Sequence, residues 1–180
     1  VLMDSYFDKT YNYLENNNLN NALIGPIHVR IKDNKFSTYD EVKSKINNIE
    51  QKIGSGFYPY YNGSNYHIYY GAFTNETSAN NILNKLNEIG LTGEIVNSNR
   101  KNVVVYNGNN EIVFLYSNNS NIYFSSKNSK LLCNMIKIDG KAYRGDMSFN
   151  IINDSTLISI NRVDIESYLY GVVPSESPAS

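Results

Sequence analysis

From Ile27 to Val96 the chain makes the same excursion twice, and no other feature restricts its fold as strongly. In the first pass Ile27, Val29 and Ile31 alternate with His28, Arg30 and Lys32, the period-two pattern of a strand with one buried face. Thr38-Tyr39-Asp40-Glu41 has capping-box spacing, and Val42, Ile46, Ile49 and Ile53 form a helical stripe behind it. Gly54-Ser55-Gly56 ends that helix, and Phe57 to Tyr61 returns as an aromatic strand. In the second pass Tyr66 to Phe73 is a strand, Thr74 or Asn75 caps a helix, and Ala79, Ile82, Leu83, Leu86 and Ile89 share its apolar face. Gly90 sits just past that helix, where a left-handed residue is favoured, and Thr92 to Val96 closes the pass as a strand. Two β-α-β halves joined through Asn62-Gly63-Ser64-Asn65 predict a βαββαβ, ferredoxin-like α+β domain over 27–97. Both helices should cover one face of a four-stranded sheet and leave the other open.

The flanks read differently. Within 1–26, Phe7, Tyr11 and Leu14 lie on one helical stripe between Asp4 and Asn16, and an Asn-rich linker follows up to Gly25-Pro26. Over 98–180 helical periodicity vanishes. Apolar runs at 103–106, 111–116, 121–124, 131–138, 147–151 and 157–160 are separated by turn-forming pairs, of which Asn107-Gly108 and Asp139-Gly140 are the clearest. An antiparallel β-rich layer is expected there. At its end Asp164 is placed to cap a short helix stopped at Gly171, followed by a turn rich in Pro and Ser with Glu176 at its centre.

Composition narrows the function classes. A hydrophobic content of 41% over 180 residues supplies real cores. A net charge of -1 gives no electrostatic footprint for nucleic acid, and no apolar run is long enough to span a membrane. The N-terminus lacks the pattern of a signal peptide, and a chain starting at Val1 can already be trimmed, which leaves export open. Cys133 is the one cysteine and reads as a small buried hydrophobe. His28 and His67 stand in different strands without acidic or thiol partners at ligand spacing, so neither metal nor cofactor is expected within this chain.

The stretch from Asn161 through Glu166, Tyr168, Leu169, Gly171, Val172, Val173, Pro174, Glu176, Pro178 and Ala179 to Ser180 resembles the signature of the stage II sporulation protein D / LytB family, "LEEYLYGVVPSEMPAS", with Ser177 in place of the usual Met. Ala142-Tyr143-Arg144-Gly145-Asp146-Met147 resembles the family's upstream "YRG" strand. The resemblance implies the opening part of such a domain over 98–180, without the long helix that follows the signature in the family. It implies a longer protein acting outside the cytoplasm, in the cell wall or the space of a forespore septum, as a lytic transglycosylase cleaving the MurNAc-GlcNAc bond. Glu176 holds the position of the family's catalytic Glu. One carboxyl group is chemically sufficient, because the sugar's own C6 hydroxyl displaces the leaving group and no water nucleophile is needed. Acid chemistry near neutral pH requires a partly buried Glu176; without the wall of the next helix the carboxylate is solvated and the isolated chain inactive. The rival reading is a non-catalytic amidase enhancer or wall-targeting module. Asp164 and Glu166 are explained by capping and surface pairing, and Arg144 and Asp146 either steer substrate or pair across strands.

The second pass, from Tyr66 to Val96, resembles the SPOR domain, with Gly71-Ala72-Phe73 standing for its Gly-Ser-Phe corner and Ser78-Ala79 opening its helix. The first pass matches less well, carrying Lys32-Asp33-Asn34-Lys35-Phe36 at that corner. SPOR domains bind glycan strands stripped of stem peptides, so peptidoglycan is the implied partner, with a wall amidase or another remodelling protein beside it. Strand alternation then puts Arg30, His67 and Tyr69 on the open face, with Tyr58 and Tyr60 joining them unless a one-residue bulge inverts that strand. Sugars stack on such rings, and Arg144 is the further substrate-binding candidate. A protein-docking use of the same sheet is the remaining alternative.

Overall fold

The computed structural model describes residues 2–5, 26–98, 101–107, 109, 111–118, 120–126, 135–153 and 156–176. These form a mixed α+β fold with one large, mostly antiparallel sheet and three helices. The elements in chain order are β1 (Leu2–Ser5), β2 (Ile27–Ile31), α1 (Tyr39–Ile53), β3 (Phe57–Tyr61), β4 (Tyr66–Phe73), α2 (Glu76–Glu88) and β5 (Gly93–Asn97). There follow β6 (Asn102–Tyr106), β7 (Ile112–Ser117), β8 (Met135–Ile138), β9 (Lys141–Arg144), β10 (Asp146–Ile152), β11 (Thr156–Arg162) and α3 (Ile165–Glu176).

The two passes fold as their local chemistry dictates. Thr38 Oγ1 accepts from the Glu41 amide while the Glu41 carboxylate accepts from the Thr38 amide, which closes the capping box and lowers the Glu41 pKa through the Thr38 bonds. Asn75, of the two candidates, caps α2 by accepting from the Ser78 amide at 3.0 Å. The far end of α2 closes as a Schellman motif, with Leu91 N–H donating to Leu86 O, Gly90 N–H donating to Asn87 O, and Gly90 at φ +76°. Val29, Ile31, Phe57 and Ile68 from the strands meet Val42, Ile46 and Ile49 of α1 and Ala79 and Leu86 of α2 in one core. Both helices therefore lie on one sheet face, as the periodicity predicts.

The sheet itself is larger than four strands. Its order is β1-β6-β7-β3-β4-β2-β5, with β3 and β7 the parallel pair in register Tyr60↔Leu115. Backbone packing gathers the chain into two units, Val1–Ser120 with Ile151–Leu157, and Asn121–Asn150 with Ile158–Ser180. Thus β6 and β7, read from sequence with the segment 98–180, join the sheet of the segment 27–97. At the other flank Leu2–Ser5 pairs with Val103–Tyr106 as a strand, so Asp4 and Ser5 are strand rather than helix; the stripe Phe7, Tyr11 and Leu14 lies outside the described residues.

The second unit carries the β8–β9 hairpin. Asp139 at φ +48° and Gly140 at φ +78° make the tight turn between β8 and β9, as that pair predicts. The run 121–124 contributes a single bridge, Phe124 to Met147, rather than a strand. Cys133 lies outside the described residues. Asp164 Oδ1 accepts from the Ser167 amide at 2.8 Å and so caps α3. The helix then runs through Gly171 and Pro174 to Glu176, correcting both the stop at Gly171 and the turn around Glu176. Glycine permits a left-handed stop without imposing one, and a proline at that place, which loses the bond to the Tyr170 carbonyl and crowds it, is disfavoured in a helix rather than forbidden. Among the described residues no helix is long and apolar enough to cross a membrane.

Candidate functional site

Alternation assigns the strand residues correctly to the face away from the helices, but that face is closed. Tyr58, Tyr69, Val104, Tyr106 and Leu115 form a second core, with Tyr60, Ala72, Val96 and Ile112 packed against it. Val96, on the edge strand β5, packs against the same cluster, in which the rings of β3 and β4 lie among side chains of β6 and β7. Tyr58, Tyr69 and His67 retain only 2%, 8% and 7% of their accessible surface. Tyr58 and Tyr69 are corrected from glycan-stacking residues to interior ones, because an aromatic strand face becomes core where side chains of further strands pack against it, while His67 lies beneath a cleft at the rim.

The interior is polar in one place. His28 is fully buried, and its Nδ1 lies 2.8 Å from the Gly71 carbonyl oxygen, which also accepts from the Tyr58 hydroxyl. Burial pulls His28 down to about 4, with the Gly71 bond opposing, so it is neutral at pH 7. The shared carbonyl belongs to a bulge. The β2–β4 register shifts between Ile27 and Val29, and Gly71 sits at φ +67° where a Cβ would come within 2.5 Å of the Phe73 ring. The one-residue bulge raised as a hazard for β3 is thus found on β4.

At the rim of this face is a cleft of about 270 Å³ lined by Arg30, Lys32, Asp33, Asn34, Lys35, His67 and Glu94. Register explains its convergence, since Arg30 lies opposite Tyr69 on one side and Glu94 on the other. Arg30 is ion-paired with Glu94, whose second oxygen is 3.8 Å from Lys32 Nζ. Burial raises the Tyr69 hydroxyl to about 12, opposed by the Arg30 guanidinium beside it. His67 is tied on one side. Asn62 Oδ1 accepts from the Ser64 and Asn65 amides, which leaves its Nδ2 to donate to His67 Nε2 at 3.1 Å. The other ring nitrogen then carries the proton, and burial lowers the pKa against the opposing effect of the nearby Asn34 backbone. A neutral His67 therefore sits between the β3–β4 hairpin and the turn after β2.

Arg30, Tyr60, His67 and Tyr69 are brought together in the first unit, whereas Arg144 and Glu176 belong to the second. Asn161 Nδ2 donates to the Arg144 carbonyl at 2.8 Å and the Asp146 carbonyl at 3.2 Å. Asp146 pairs with Arg162 rather than Arg144, at 2.7 Å, and accepts from the Ser125 hydroxyl; the Ser125 and Arg162 bonds lower its pKa. The Arg162 guanidinium stacks 3.9 Å over the Tyr123 ring. A Cβ on Gly145 would fall 2.2 Å from the Arg162 carbonyl oxygen, so the crossing admits only glycine. Glu176 is located by its backbone, as the last helical residue of α3. No group of three or more His, Cys, Asp or Glu side chains among the described residues is arranged to hold a metal.

Sequence reading missed Lys32, Lys35, Asn34 and Glu94. The available signal was Lys32-Asp33-Asn34-Lys35, a turn-forming pair between two cations. Compared with known proteins, the chain matches no family model, no curated protein and no solved structure.

Proposed function

We propose that the chain is part of a peptidoglycan-remodelling protein of the stage II sporulation protein D / LytB type, working outside the cytoplasm. In this reading the full-length protein cleaves MurNAc-GlcNAc bonds as a lytic transglycosylase, with Glu176 protonating the leaving oxygen and then accepting the C6 hydroxyl proton. One observation carries it: the residues selected by the resemblance, although remote in sequence, are knitted to one another. Asn161 holds the carbonyls of Arg144 and Asp146, and Gly145 lies against the Arg162 backbone. A strand crossing of this kind just ahead of a helix ending on Glu176 fits a scaffold built to present that carboxyl group.

The first unit is proposed as a ferredoxin-like, SPOR-type module. The strand order β3-β4-β2-β5, with α1 and α2 on one face, supports the name. Glycan contact is assigned to the half-buried Arg30 and Tyr60 rather than to the fully buried residues of the closed face. A second reading, protein docking without turnover, is favoured by the exposed Ile165, Tyr168, Leu169 and Tyr170 on α3.

Glu176→Gln in the full-length protein decides between them. The transglycosylase reading predicts at least about a hundredfold loss of 1,6-anhydro muropeptide release from purified sacculi, the usual scale for removing a general acid. Equal release by both proteins would contradict the role of Glu176, and absence of release from the unmodified protein would favour docking.

A further inference from the structure

We infer that the cleft at the end of β2 is an oxyanion-binding site for a carboxylate or phosphate carried on a small polar ligand. The inference rests on the cleft alone and is independent of the wall reading. Three cations, Arg30, Lys32 and Lys35, face two carboxylates, Asp33 and Glu94, around about 270 Å³ in a chain of net charge -1. Glu94 is shared by Arg30 and Lys32, and among the described residues Lys35 has no carboxylate partner. The surplus at the mouth is therefore positive. A planar guanidinium flanked by ammonium groups suits an oxyanion, because charge-assisted N–H bonds to oxygen are short and strong.

The site is also held in shape. The turn Lys32–Lys35 places Asp33 at φ +57°, and Asn34 Nδ2 donates to the Lys32 carbonyl at 2.9 Å. Phe36 bridges back to Tyr66 through two backbone bonds, and the Lys32 amide donates to the Thr92 carbonyl. Both ends of the cationic turn are thereby anchored, so little ordering is left to oppose binding. The volume is at the small end for ligand sites and fits a single charged group with one attached ring.

The test is a titration of the isotope-labelled chain with inorganic phosphate and, separately, with acetate, at constant ionic strength set by chloride, followed by amide chemical shifts. Saturable shifts centred on Lys32 to Lys35 and His67 are expected with at least one of the two, about tenfold weaker in Lys32→Ala/Lys35→Ala and unchanged in Lys141→Ala on β9. Saturation by phosphate alone assigns a phosphoryl ligand, and by acetate alone a carboxylate. Non-saturating shifts with both anions, or equal affinity in the double variant with its remaining spectrum intact, would overturn the site.

Discussion

The two faces of the large sheet carry equally buried cores made of different chemistry. Toward the helices lie Val29, Ile31 and Ile68, met by the aliphatic stripes of α1 and α2; on the other side lie Tyr58, Tyr69 and Tyr106, met by more strands of the same sheet. A helix stripe arrives with its backbone satisfied and fills space with branched carbons. On the second face rings fill the space, and ring hydroxyls and His28 then need internal acceptors such as the Gly71 carbonyl. The difference teaches that alternation reports which side a residue takes and is silent on whether that side is covered.

The largest test of this equivalence is truncation on each face. Ile46→Ala should cost about 2–5 kcal/mol and Tyr58→Ala about 3–5 kcal/mol in urea unfolding, the range for filled core positions. A cost under about 1 kcal/mol for Tyr58→Ala would mean that the second face is a surface after all.

Acid should separate the faces next, since only the second buries histidines. The folded pKa of His28, about 4, lies below its ordinary 6.5, so as pH falls the unfolded chain takes the proton first. Stability is complete above 6.5 and declines progressively toward 4, by about 3 kcal/mol in total, and the lowered His67 pKa acts in the same direction. Unfolding midpoints at pH 7.5 and 5 should differ accordingly, and His28→Gln should remove most of the slope. A pH-independent midpoint over that window would show that the second face admits water.

Smaller effects sharpen the contrast. Tyr58→Phe leaves the ring and removes its hydroxyl bond to the Gly71 carbonyl, for about 1 kcal/mol; Thr38→Ala opens the capping box of α1 for a similar amount. The two should part in their acid response. Tyr58→Phe alters the surroundings of His28 and should change the slope between pH 7.5 and 5, whereas Thr38→Ala should leave it unchanged.

What was legible in the sequence follows from range. Thr38 with Glu41, Gly90 after α2, Asp139-Gly140 and Asp164 before α3 act over a few residues, and each does what its chemistry predicts. Closure of the second face depends on Leu115 pairing beside Tyr60, a parallel contact that no local pattern specifies. A trace of it was present: Val103-Val104-Val105-Tyr106 is apolar at every position, as in strands buried on both faces, and all four are buried. The cleft was hidden for the same reason, since Arg30, His67 and Glu94 meet only when β2, β4 and β5 are side by side. In the second unit the passage of α3 through Gly171 and Pro174 defeats residue-by-residue breaker rules, which give preferences rather than prohibitions.

The measurement that tests the closed face most directly is tyrosine nitration of the native chain, with modified positions quantified by mass spectrometry. Closure predicts that Tyr39, Tyr168 and Tyr170, exposed at 44%, 52% and 71%, react while Tyr58, Tyr69 and Tyr106 stay protected until the chain unfolds. Nitration of Tyr58 and Tyr69 at the rate of Tyr39 would contradict it and restore that face as a surface for ligands.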